Sequence, residues 1–135
     1  MGKKEEIKDY DKIVSHWIET SNEDFETMKK LFESKTYHWS LFLGHISVEK
    51  ILKSYYVKKH KNHPPFTHNL FRLAELSGLD IDVEYSDWLD EITSFNLAAR
   101  YDDYKKEFYR TCNREFAINW IEKITILREW IGRKL

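Results

Sequence analysis

The sequence predicts an all-α, up-and-down bundle of about five helices, four long or medium and one short. Three observations carry this. Apolar residues recur at intervals of three and four over most of the chain. Four glycines and two prolines are too few for the many tight corners of a β-sandwich or barrel. A chain of 135 residues that is 41% hydrophobic can bury a core, and its length suits one domain spanning residues 1–135.

The elements follow in order. Ile7, Tyr10, Val14, Trp17, Ser21, Phe25, Met28 and Phe32 mark one face of a first helix, placed from about Asp9 to Ser34. A break at Lys35-Thr36-Tyr37 leads to a second helix from about Tyr37 to Lys59, with Thr36 as its cap. Pro64 and Pro65 force an extended loop. Thr67 then caps a short third helix carrying Leu70, Phe71, Leu73, Ala74 and Leu76, and Gly78 closes it. After a loop from Leu79 to Glu84, Ser86 caps a fourth helix with Trp88, Leu89, Ile92, Phe95 and Leu97 inside. Residues Arg100 to Asn113 read as an irregular polar stretch. The last helix starts between Thr111 and Arg114 and presents Phe116, Ala117, Trp120, Ile124, Leu127 and Ile131 at helical spacing.

Charge and cysteine usage narrow the setting. Twenty-two basic and 23 acidic residues leave a formal charge of −1, which excludes a broadly cationic nucleic-acid coat but permits local basic patches. Cys112 is the single cysteine, so no intrachain disulfide can form. Arg110 and Arg114 flank it, yet a lone cysteine reads as a small hydrophobe. The opening Met-Gly-Lys-Lys-Glu-Glu lacks the apolar segment of a secretion signal, and no run of apolar residues reaches membrane-spanning length. A soluble, cytoplasmic protein is expected.

The second helix holds a local conflict. Leu41, Phe42, Ile46, Val48, Leu52, Tyr55 and Tyr56 make a broad apolar arc, but His45 and Glu49 fall inside it one turn apart. Lys50, Lys53 and Lys58 fall at its edge or outside. A buried carboxylate is costly unless paired or hydrogen-bonded. His45 and Glu49 therefore form a buried polar pair, face a partner subunit, or line a site.

Two further groups bear on function. Arg100 and Tyr101 end the fourth helix, with Lys105, Lys106 and Arg110 close behind. Arginine's planar fork suits phosphate and a tyrosine ring can stack on a base. The alternative is that Arg100 serves helix-terminal carbonyls and the neighbouring Asp102 and Asp103. His60, His63 and His68 crowd the proline loop, but their spacing matches no compact zinc pattern and no cysteine assists. No metal or cofactor is expected.

Several landmarks taken together resemble the HEPN family of small helical domains. They are Trp17 with Glu23-Asp24-Phe25, the run from Trp39 to Lys53 with its Glu-Lys-Ile-Leu-Lys end, Pro64-Pro-Phe-Thr-His-Asn-Leu70, and Asn96-Leu-Ala-Ala-Arg-Tyr101. The resemblance spans about Trp17 to Ile131. It implies a helical bundle that forms homodimers, and a nucleotide- or RNA-binding or interaction module. In such a module Arg100 would contact phosphate and Tyr101 would stack, with Lys53 and Lys50 adding charge. Many branches of the family are metal-independent ribonucleases or toxin components paired with a nucleotidyltransferase-like protein. Those ribonucleases carry an arginine followed, after four to six residues, by a histidine. Here all six histidines lie at or before position 68, so none follows Arg100 or Arg110. The resemblance thus implies a non-catalytic, dimeric binding module, with a divergent ribonuclease or toxin component as the alternative.

Overall fold

The computed structural model describes residues 9–135, and all regular structure among them is helical. Ile7 and the opening Met1–Glu6 lie outside the described residues. The helices are α1 (Tyr10–Glu33), α2 (Tyr37–His60), α3 (Leu70–Ser77), α4 (Val83–Arg100), α5 (Asp102–Thr111) and α6 (Arg114–Gly132).

The organising element is α2, which packs against each of the other five helices. This explains the composition that resisted a simple amphipathic reading. Buried residues occupy nearly every side of it, from Ser40 and Leu41 to Val57. A three-residue turn with Lys35 in the left-handed region returns α2 along α1. The Ser40 hydroxyl donates to the Met28 carbonyl at 2.7 Å, and that of Ser21 to the Ser47 carbonyl at 2.6 Å. That pairing of 28 with 40 and of 21 with 47 is the register of antiparallel helices. Small side chains permit the approach. A Cβ on Gly44 would sit 2.5 Å from Ile124 Cδ1 and 3.1 Å from Met28 Sδ, so α6 and α1 both rest on that bare position.

The remaining helices close around one apolar cluster that includes Leu52, Leu73, Leu89, Ile92, Phe95, Ile124, Leu127 and Ile131. Their starts are set by side chains longer than those expected. Asn69, Asp82 and Asn113 accept from the backbone N–H of Arg72, Tyr85 and Phe116 at 2.8–2.9 Å. Thr36 makes no such bond, and Ser86 lies inside α4. Thr67 acts one step upstream, accepting from the Asn69 N–H at 3.1 Å. Gly78 takes the left-handed conformation (φ 84°) that ends α3.

The polar stretch after Arg100 is a sixth helix, where the sequence pattern suggests irregular chain. Only Phe108 of α5 is buried, so its apolar periodicity is nearly silent. Phe108 docks its ring 5.5 Å from that of Phe95. Asp102 and Asp103 in the first turn and Arg110 in the last complement the helix dipole.

Candidate functional site

A single hydrogen-bonded network joins α2, the segment before α3, and α4. At its centre the His45 ring is fully buried. Its Nε2 donates to the His68 carbonyl at 2.9 Å, and its Nδ1 accepts from Asn96 Nδ2 at 3.3 Å. The Asn96 carboxamide thereby turns its oxygen outward, where it accepts from Arg100 Nε at 3.0 Å and Nη2 at 2.6 Å. On the other side, Glu49 Oε1 bonds His68 Nδ1 at 2.9 Å, and Glu49 Oε2 takes Lys53 Nζ at 2.9 Å. Polar contacts run from exposed Arg100 through the core to Lys53, whose ammonium also lies 5.3 Å from the Trp17 ring.

The electrostatics follow from this wiring. Burial pushes the His45 pKa below 6.5, against the opposing pull of the His68 carbonyl and of Glu49. For Glu49, burial pushes upward, but the bonds from Lys53 and His68 prevail and hold the carboxyl below 4.5. Glu49 is thus a carboxylate, buried yet satisfied at both oxygens. Cys112 is also buried, which pushes its thiol up to about 12 and removes it from nucleophilic chemistry near neutral pH.

The residues singled out in the sequence do not all converge. His45 and Glu49 are internal. Arg100 and Tyr101 sit together at the surface, with the guanidinium 5.2 Å from the Tyr101 ring centre. Lys50 and Lys53 contribute no free charge beside them. Lys50 forms an ion pair with Asp24 of α1 at 2.8 Å, and Lys53 is buried against Glu49. Placing Lys53 at or beyond the edge of the apolar arc is corrected by the central position of α2, which leaves that helix almost no outer face. Two members were missed as site residues, Asn96 and His68. Both stood in quoted landmarks, but only the fold shows that Thr67-His-Asn and Asn96-x-x-x-Arg meet at His45 and Glu49. Among the described residues, no group of three or more histidine, cysteine or acidic side chains is disposed to hold a metal.

An all-helical domain whose other three sequence landmarks all meet the one on α2 defines a class of small bundle with a polar centre. The chain belongs to the HEPN family, since the HEPN domain profile matches residues 14–135. Its structure is similar to the crystal structure of TT1696 from Thermus thermophilus. The TM-score is 0.77 and the identity 16%, over 90% of this chain and 98% of that one, a likeness that speaks for the fold alone. No curated protein matches the sequence significantly. No helix among the described residues is long and apolar enough to cross a membrane.

Proposed function

We propose that this chain is a non-catalytic, homodimeric HEPN module that binds a nucleotide or RNA through Arg100 and Tyr101. One observation carries the reading: Arg100 is an exposed guanidinium whose position is fixed from inside the protein. Two of its nitrogens are held on the Asn96 oxygen, and Asn96 is itself held by buried His45. Nη1 donates to no partner among the described residues, so a phosphate meets an oriented donor that has little freedom left to lose. Tyr101, half exposed beside it, offers a face for a base. Lys50 and Lys53, neutralised by Asp24 and Glu49, support the site only as structure. A purine triphosphate at about millimolar concentration should raise the melting temperature. Arg100→Ala should abolish the shift and Asn96→Ala should weaken it. A wild-type protein that does not respond removes the reading.

A specific observation also favours a second reading, a divergent metal-independent ribonuclease or toxin component with a nucleotidyltransferase-like partner. No histidine follows Arg100, but His68 belongs to the same hydrogen-bonded network, joined to Arg100 through His45 and Asn96. Its Nδ1 is held by Glu49, which sets the tautomer, and its side chain is 54% exposed. Mixed-sequence RNA incubated without metal should then be cleaved by the wild type and spared by Arg100→Ala and His68→Ala. Intact RNA, or cleavage unchanged in Arg100→Ala, removes this second reading.

A further inference from the structure

The first turn of α2 and one face of α5 enclose a depression of about 450 Å³ lined by His38, Asp102, Lys105, Lys106 and Tyr109. A second, of about 340 Å³, carries on from His38 and Tyr109 to Lys35, Arg110 and Arg114 at the start of α6. His38 and Tyr109 line both depressions, their rings edge to face at 5.1 Å, so the two adjoin across this aromatic pair in one basic strip, the groove. Lys35, Lys105, Lys106, Arg110 and Arg114 line it against a single acid, Asp102, in a chain whose formal charge is −1. None of these five cations forms an ion pair with an acid among the described residues. Lys105 and Arg114 instead lie over the Trp39 and Phe32 rings, at 5.6 and 5.2 Å, which holds them without neutralising them.

One end of the groove lies next to Arg100 and Tyr101 along the chain. His38 precedes His45 by two helical turns on the same face of α2, roughly 10 Å along the axis. Asp102, at the head of the groove, follows Tyr101 directly.

We infer that this groove holds a single-stranded nucleic acid. Its phosphates lie on Lys105, Lys106 and Arg110, and a base lies on the 64% exposed Tyr109 ring. Cations interleaved with accessible aromatic faces suit a chain of alternating phosphates and bases. The ligand class rests on the nucleotide reading above, but the groove shares no residue with Arg100 and Tyr101. It makes the ligand a strand rather than a lone nucleotide.

The test is fluorescence anisotropy with a labelled oligouridylate of about twelve nucleotides at low salt. The double variant Lys106→Glu, Arg110→Glu changes exposed residues only, and its melting temperature checks that it folds. It should bind about tenfold more weakly and lose roughly 0.7 from the slope of log K against log salt for each phosphate contact removed. Charge-neutral Tyr109→Ala should also lose about tenfold. The inference is overturned if the wild type ignores the strand or if both variants bind it unchanged. It is also overturned if polyglutamate competes as well as the oligonucleotide while Tyr109→Ala binds normally. A triphosphate response that depends on Arg100 but survives both groove variants leaves the Arg100 site standing whichever way the groove falls. Strand binding without any triphosphate response overturns the Arg100 site alone.

Discussion

With Nε2 donating to the His68 carbonyl and Nδ1 accepting from Asn96, the His45 ring has no room for a second proton. A proton on Nδ1 would face the Asn96 amide donor. Flipping Asn96 to relieve that would point its amide at the Arg100 guanidinium. Because burial holds the folded pKa below 6.5, the unfolded chain binds more protons over that interval. Stability from neutral His45 is therefore complete above pH 6.5 and is lost as the pH falls below it. Thermal melts from about pH 7.5 to about pH 5.5 should show a falling melting temperature. Glu49 acts in a separate window. Its depressed pKa gives stability that is present above 4.5 and lost as the pH falls through the folded value. Glu49→Gln keeps the shape but strands the buried Lys53 ammonium, and should lower the unfolding free energy by about 3 kcal/mol. Urea titration checks this. The double variant Glu49→Gln, Lys53→Met should be less damaging than the sum of its parts, because the two residues are one interaction.

Among the elements, α2 and α5 are opposites. α2 has twelve buried residues and touches every other helix, whereas α5 hangs on Phe108. The close packing of α2 depends on its small positions, above all Gly44. Gly44→Val places branched carbons where Ile124 and Met28 already sit, and both neighbours are fully buried in the core. It should cost about 3 kcal/mol in chemical denaturation, since overpacking is relieved only by moving helices. Gly44→Ala should be milder, because the better helix propensity of alanine offsets about 1 kcal/mol of the clash. The near-absence of buried side chains on α5 leaves its tyrosines and lysines on the surface, where the groove recruits them. An element with so little core contact is free to carry function.

At the scale of the molecule, the proposed homodimer predicts a light-scattering mass of twice 16.4 kDa, and a stable monomer removes that part of the proposal. Helical periodicity is a local signal, written in neighbours three and four residues apart. It made the all-helical class, the helix order, the Gly78 stop and the proline loop legible from the sequence. The landmarks added the HEPN family. α5 escaped because one buried residue makes no period, and the N-caps of α3 and α4 were misplaced by two and four residues because several polar side chains competed locally for each helix start, whereas Thr36 does stand at the start of α2. The site was legible only in pieces. His45 and Glu49 were visible as an anomaly, and Arg100 and Tyr101 as a charged helix end. Their linkage depends on pairs 51 residues apart for His45 and Asn96 and 19 apart for Glu49 and His68. The same long-range packing buried Lys53 and occupied Lys50. Which polar groups are wanted was determined by the sequence alone. Which of them meet, and which remain free for a ligand, was decided only by how α2 is surrounded.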